Sequence, residues 1–522
     1  MDYIEFKNIN ALGFQNHKHY YIYDSFSNQI LKVEPIILKV LDDSFELNKE
    51  QIIEKYSRDF SKSLILDALE SIKEIQHTNK ALLSFKIPKF SICKQQTALK
   101  TLTENLNNNL TQLILNVTED CNLACEYCVY SGNYINRRKH NKSNNITENC
   151  AKQAIDFFCS HTTNSKDKYI SLYGGEPFLR FKFVKEIVEY TKKIDSDINF
   201  TITSNGTLLN ERIIEFLDNN NISLTISLDG PKELHDSYRV YQNGMGTFET
   251  VMSKIELIKE KFPTFYSNKL KINSVVSPYN GEIKEISHFF NTPSFDFLKD
   301  SSKYSLGLIN PAENKFVKEH DYDNYIISFF YTMFKEFLAS HITSNELSNI
   351  NISKSLFIKQ IKMLYFRSNR LLSEYDYYWP NGICIPGTRS LFVSSKGKFY
   401  PCEKLYDYED MVIGDIESGF NFNRVSEIIN EYCDITIKDC RKCWAYRLCG
   451  ECFLNIRENK SWDTKKRNQF CNGQRNMWVC ILKIYTTILE HNSNAFDYFI
   501  NEYHDKYEYV NETIKESLSF NK

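Results

Sequence analysis

Apolar and polar positions repeat along this chain with two periods. Short runs rich in branched residues recur at 113–117, 169–173, 198–203, 222–226, 271–276 and 304–308. Each is bounded by polar or turn-forming residues, which reads as a buried strand. Stretches with helical spacing, such as Glu148–Ser160, lie between them. Strands alternating with helices from about 112 to 330 predict a parallel α/β sheet. Ahead of it, 19–23 and 29–33 flank Asp24-Ser-Phe-Ser-Asn28 and predict a hairpin. Helical spacing follows at 35–41, 49–56 and 64–75. Residues 312–380 read as bridging helices whose aromatic stripe belongs in a core. Further on, 391–393 and 398–400 flank Ser394-Ser-Lys-Gly397, a second predicted hairpin that brings Cys384 and Cys402 together.

Composition narrows the class. The 522 residues are 42% hydrophobic and 14% aromatic, ample for several buried cores. The length suggests about three or four domains. A net charge of −2 gives no bulk electrostatic case for nucleic acid or an anionic membrane. The start, Met1-Asp-Tyr-Ile-Glu-Phe-Lys7, lacks the basic and apolar regions of a signal peptide. No run approaches the roughly 18 apolar residues of a membrane span. A soluble, cytoplasmic protein is expected. Fifteen cysteines in such a chain point to metal or redox use rather than to disulfides. None falls between 185 and 380, and that uneven placement is itself a sign of ligation.

The chemistry begins directly after the run at 113–117, with Cys121-Asn-Leu-Ala-Cys125-Glu-Tyr-Cys128. These cysteines fall on a loop leaving a strand's C-terminal end, where α/β sheets and barrels place their sites. Three thiolates hold three irons of a [4Fe–4S] cube and leave the fourth open to a small molecule. Zinc usually closes with four ligands, and no fourth Cys or His is nearby. The next strand ends in Gly174-Gly-Glu-Pro177, where glycines permit close backbone approach and Glu176 supplies an anionic acceptor. Later strands run into Ser204-Asn205 and Ser227, and Arg239 follows with a fork suited to a carboxylate.

This set resembles the radical S-adenosylmethionine (SAM) superfamily. The resemblance implies a partial (β/α)₆ barrel, an open α/β sheet whose gap admits a large substrate. It implies that SAM chelates the open iron of the cluster on Cys121, Cys125 and Cys128. Tyr127, Gly174, Gly175, Glu176, Pro177, Ser204, Asn205, Ser227 and Arg239 are then the expected SAM-binding residues, with the Gly174–Pro177 stretch taking the amino group. One electron breaks the sulfonium C–S bond and releases a 5′-deoxyadenosyl radical that abstracts hydrogen.

The C-terminal cysteines run Cys384, Cys402, Cys440, Cys443, Cys449, Cys452 and Cys471. Their order resembles the SPASM extension of that superfamily, which implies two auxiliary [4Fe–4S] clusters. Cys384, Cys402 and Cys452 would hold the first, with room for an open iron. Cys440, Cys443, Cys449 and Cys471 would hold the second, with Cys480 a rival for its last position. Cys449 and Cys452 are separated by two residues where the family usually has three, which leaves the ligand assignment open. Two Cys-x₂-Cys pairs also suit a four-thiolate zinc site. Cys93, Cys150, Cys159 and Cys433 read as ordinary buried thiols. Glu403 follows Cys402 where sulfatase-maturing relatives carry an aspartate base, so the resemblance extends a general-base role to it.

The expected organisation is a winged-helix, PqqD-like leader-recognition domain at 1–88, a linker at 89–111 and the barrel at 112–330. Bridging helices at 331–383, the SPASM domain at 384–480 and a helical tail at 481–522 complete it. The first assignment is a resemblance of architecture, in which a leader peptide adds a strand to the hairpin edge. A domain that merely packs against the barrel is the alternative. Tyr127-Cys-Val-Tyr-Ser-Gly132, Cys384-Ile-Pro-Gly387 and Cys440-Arg-Lys-Cys-Trp444 resemble maturases of cysteine-rich peptides. That likeness implies a radical SAM oxidoreductase that closes thioethers between peptide cysteines and carbons, its auxiliary clusters accepting the surplus electron. Its partners would be a precursor peptide with a leader and a small flavodoxin- or ferredoxin-type electron donor. Carbon–carbon crosslinking, epimerisation and formylglycine formation on a sulfatase stay open. A non-enzymatic iron–sulfur module leaves Gly174 to Pro177 unexplained.

Overall fold

The N-terminal hairpin is the outer half of a larger sheet. In the computed structural model, which describes residues 3–84, 96–134, 138–277, 283–309, 319–342, 352–367, 371, 383–458 and 461–500, four antiparallel strands lie side by side in chain order. They are β1 (Tyr3–Glu5), β2 (Ala11–Gln15), β3 (Tyr20–Asp24) and β4 (Gln29–Val33). β2 escaped the period-2 pattern because both of its faces are covered. Ala11 joins Ile22 in a core closed by the helices Pro35–Val40, Lys49–Tyr56 and Lys62–Thr78. Leu12 and Phe14 join Tyr21 and Tyr23 in the main core of the molecule. The sheet is therefore sandwiched between its own helices and the rest of the chain. Of the expected linker, residues 89–95 lie outside the described residues. Gln96–Asn108 is a helix that buries Leu102 and Leu106 in the main core.

The predicted parallel sheet forms from six strands. After β5 (Gln112–Glu119) and β6 (Asn141–Asn145) come β7 (Tyr169–Gly174), β8 (Asn199–Ser204), β9 (Ser223–Ser227), β10 (Leu270–Val276) and β11 (Tyr304–Leu308). Their spatial order is β5-β7-β8-β9-β10-β11, every neighbour parallel. Leu113, Leu115, Ile170, Leu172, Phe200, Ile202, Leu224 and Ile226 alternate along the strands and share the core beneath the helices. Several of the intervening residues are polar, while Ile114 packs with Phe392 and Tyr400. Ser171 bonds Gln112 and Thr201, both at 2.7 Å, and Ser305 bonds Asn273 at 2.7 Å. The polar stretch 138–145 is held down, and β6 pairs antiparallel with the end of β5; Arg137 lies outside the described residues.

The second predicted hairpin forms as β12 (Leu391–Val393) and β13 (Lys398–Tyr400), and it continues the barrel sheet. β12 lies parallel to β5 with Leu391 opposite Leu113, and β14 (Gly414–Asp415) and β15 (Gly419–Phe420) extend the same sheet outward. The helix Glu319–Ile342 runs across the boundary drawn at 330, and Thr464–His491 across that at 480, and the two helices pack against each other. Phe329, Phe337 and Phe357 of the aromatic stretch are buried in the main core. Residues 343–351, 372–382 and 501–522 of the bridging and tail segments lie outside the described residues. Among those described, no helix is long and apolar enough to cross a membrane.

Candidate active site and metal centres

The loop after β5 is stitched to the end of β7. Thr118 and Asp120 carbonyls accept from the amides of Gly175 at 2.7 Å and Glu176 at 2.9 Å. So close is this approach that a Cβ on Gly175 would stand 2.0 Å from the Asp120 carbonyl oxygen. Gly174 has φ +140°, and a Cβ there would meet the Thr118 carbonyl at 2.2 Å. The glycines are what let two strand ends meet here. On its other side the loop bonds to 238–241, Ala124 donating to the Val240 carbonyl at 2.8 Å.

Cys121, Cys125 and Cys128 converge on this loop. Burial pushes the Cys121 thiol up to about 12, and the nearby charges of Glu176, Cys125 and Cys128 add to it. Burial likewise raises Cys125 to about 12 and lifts Cys128. Three N–H groups aim at these sulfurs: Leu123 at 3.4 Å and Asn205 Nδ2 at 3.8 Å on Cys121, and Tyr130 at 3.5 Å on Cys128. Such donors suit sulfurs that carry negative charge as metal ligands. Three soft thiol donors on one loop, with N–H groups directed at two of them, fit a cluster that takes one thiolate per iron.

Glu176 is fully buried and its carboxylate is taken by the chain. It accepts from the amides of Phe178 at 3.0 Å and Asn205 at 2.8 Å, and from Ser204 Oγ at 3.0 Å. Burial lifts it to about 7 against those donors. Where sequence reasoning put a ligand acceptor, the side chain ties the ends of β7 and β8 together, with Pro177 buried behind it. Asn205 in turn bonds Asn122 Oδ1 at 2.9 Å, and Ser227 sits mostly buried at the end of β9.

Arg239 does reach this site, but with a partner the sequence did not disclose. Its Nε donates to Asp229 Oδ2 at 2.9 Å, and Tyr127 donates to the same oxygen. Asp229 Oδ1 accepts from the Val275 amide at 2.9 Å, so a wholly buried carboxylate fixes both Tyr127 and Arg239. A second unforeseen residue is Tyr173, the last residue before the glycines. Burial raises its hydroxyl, and its charged neighbours are Glu403, Cys128, Arg138 and Cys402. Tyr173 thus feels charges from both the first cysteine set and the C-terminal one, and from Glu403. A strand-end position just ahead of Gly174 was the available signal for it.

The C-terminal cysteines lie in two groups. Cys384, Cys402 and Cys452 act on one another's charge, burial carrying Cys384 to about 11 and Cys402 to about 12. Cys440, Cys443, Cys449 and Cys471 line one cavity together with Arg467, Arg475 and Glu451. Cys480 is exposed and is not part of that lining. Glu451, 1% exposed, keeps one oxygen without a protein partner there. Four converging soft donors beside two arginines suit a sulfide-rich cluster. Cys433 is buried in the main core, with Cys150 and Cys159 packed against it, while Cys93 lies outside the described residues.

Residues 115–290 match the radical SAM superfamily. The chain belongs to it. Its members bind a [4Fe–4S] cluster and SAM, so these are the cofactors of this chain. An uncharacterised Methanocaldococcus jannaschii protein is 33% identical over 214 residues, 40% of this chain and 69% of that one. A cysteine-type anaerobic sulfatase-maturating enzyme of Clostridium novyi is 28% identical over 391 residues, 70% of this chain and 93% of the relative. The solved structure of native anSMEcpe with bound AdoMet superposes with a TM-score of 0.54 at 21% identity, covering 73% of this chain and 99% of that one. The likeness to that structure is one of fold.

Proposed function

We propose that this radical SAM enzyme modifies a ribosomally made, cysteine-rich precursor peptide by closing thioether crosslinks. The observation that carries the peptide reading is the N-terminal sheet, which has its own helical cover and, among the described residues, leaves β4 paired only with β3. An unpaired strand edge is a template for an extended peptide. In the predicted hairpin both strands had an open edge; here β2 covers β3, so of those two strands β4 keeps its edge, among the described residues. The sulfatase-maturating relative is matched over 93% of its length but over 70% of this chain, leaving material over for such a domain.

When bound, the cluster reduces SAM and so supplies a 5′-deoxyadenosyl radical for hydrogen abstraction. Cys121, Cys125 and Cys128 would hold that cluster. Asp229 holds Arg239 and Tyr127 beside it, fixing the guanidinium that meets the SAM carboxylate, while Gly174 and Gly175 let the backbone close on the ligand. The polar lumen of Ser171, Thr201, Asn273 and Ser305 receives the peptide segment. Glu403, beside Tyr173, takes the proton from the peptide thiol. Cys384, Cys402 and Cys452, and the four-cysteine cavity, would hold the auxiliary clusters. A small electron-donor protein completes the set of partners.

The test is anaerobic turnover of iron-loaded protein with SAM, reductant and a candidate precursor. A peptide lighter by two hydrogens per crosslink, with its thiols blocked to alkylation, supports the reading; 5′-deoxyadenosine beside an unchanged peptide mass refutes it for that substrate. The kinship with the Clostridium novyi enzyme favours formylglycine formation as the second reading, and a sulfatase-derived cysteine peptide converted to an aldehyde would establish it.

A further inference from the structure

The outer strand of the N-terminal sheet is not free. Glu5, the last residue of β1, accepts from Trp444 Nε1 at 3.0 Å, and Trp444 directly follows Cys443. The same Glu5 oxygen lies 3.6 Å from Arg475 Nε. Arg475 lines the four-cysteine cavity together with Cys443. Neighbouring contacts hold the same turn from the N-terminal side. Asn10 donates to the Arg441 carbonyl at 3.1 Å, and the Tyr23 ring meets Trp444 edge-on at 6.4 Å. A path thus runs from the sheet, through a carboxylate and a guanidinium, to the wall of the four-cysteine cavity.

We propose that Glu5 and Arg475 let the N-terminal sheet set the reduction potential of the cluster on Cys440, Cys443, Cys449 and Cys471. The inference rests on the assignment of those four cysteines to a cluster. A cation and N–H donors beside cluster sulfurs stabilise the more negative, reduced state and so raise the potential. Glu5 draws on the same guanidinium and opposes it. Arg467 supplies an internal comparison: its Nη2 stands 3.6 Å from Cys440 Sγ, but its carboxylate partner, Asp439 at 2.8 Å, belongs to the C-terminal region itself. Both Glu5 and Arg475 are positioning residues, since neither is a ligand.

The experiment is a redox titration of the iron-loaded full chain, followed by electron paramagnetic resonance, in Glu5→Gln, Arg475→Gln and Arg467→Gln. Glu5→Gln moves the potential of one auxiliary signal upward, and Arg475→Gln moves that same signal downward. Arg467→Gln also moves it downward, which identifies the signal with the four-cysteine cavity. The Glu5→Gln shift shrinks as salt is added, because the pair is partly exposed. Iron content stays at the wild-type level in Glu5→Gln, so a change in potential there cannot be a lost cluster. An unmoved potential in Glu5→Gln overturns the proposal. Absence of any second auxiliary signal in the unmodified chain overturns the cluster assignment instead.

Discussion

Arg138 donates to Asp407 at 2.8 Å, joining the segment behind the first cysteine loop to the turn behind Cys402. The guanidinium is also sandwiched, 3.6 Å from the Tyr406 ring centre and 4.5 Å from that of Tyr130. The Tyr406 hydroxyl donates to Glu119 Oε1 at 2.9 Å, at the end of β5. The two cysteine-bearing regions are clamped by a single cation held on three sides.

Removing that cation should therefore loosen both regions. Arg138 and Asp407 are 13% and 8% exposed, so Arg138→Met takes the cation away from a mostly buried carboxylate. A loss of about 3 kcal/mol is expected, from the broken pair and the lost ring contacts. Denaturant unfolding of the variant would show it, and a midpoint equal to that of the unmodified chain would refute the clamp.

Asp229 makes no contact of its own with a ligand in this reading, yet Asp229→Asn should weaken SAM binding. The amide removes the charge that anchors Arg239 Nε and the acceptor shared with Tyr127. Loss of such an outer partner typically costs about 10- to 100-fold in affinity. Equilibrium binding of SAM to the iron-loaded variant measures it, and an unchanged dissociation constant would show that Arg239 needs no anchor.

Cys471 and Cys480 separate by iron count. Cys471→Ser should remove about four of about twelve irons, whereas Cys480→Ser should remove none. Elemental analysis of the two reconstituted variants decides the matter; equal losses would mean that the cavity lining misidentifies the ligand.

Glu176 should make stability pH-dependent. Its carboxyl is lifted to about 7 from the ordinary 4.5, so the folded chain favours the protonated acid. The stability it contributes is whole below about 4.5 and is lost as pH rises through about 7, a swing on the order of 3 kcal/mol. Glu176→Gln lacks that slope. Thermal midpoints of the iron-free proteins between about pH 5 and 8 should show the unmodified chain falling behind the variant, and parallel curves would rule the effect out.

The barrel strands could be read in the sequence because one face of each meets helices and the other carries several polar residues, which is what a period of two reports. β2 could not, since Leu12 and Phe14 meet one core and Ala11 another. The cysteines stand out in the sequence by their close spacing, whereas their division into sets came from the resemblance. Asp229 and Arg138 were hidden for a different reason. Their partners lie 102 and 269 residues away, in Tyr127 and Asp407, and no local pattern records such a pairing. Glu176 was legible at its strand end, but the protein donors that its carboxylate accepts from were not.

The parallel seam between β5 and β12 has a consequence for biosynthesis. Thr111 and Arg389, which bond at its lower end, are 278 residues apart. At ribosomal rates of about 5 to 20 residues per second, the flank of β5 waits roughly 15 to 55 s for the strand that covers it. During that interval an apolar strand with one bare edge is held next to nascent chain, and a chaperone or the growing helices must keep it from pairing with another copy. Truncated forms ending before 391 should accordingly aggregate, even though the barrel's own six strands are complete.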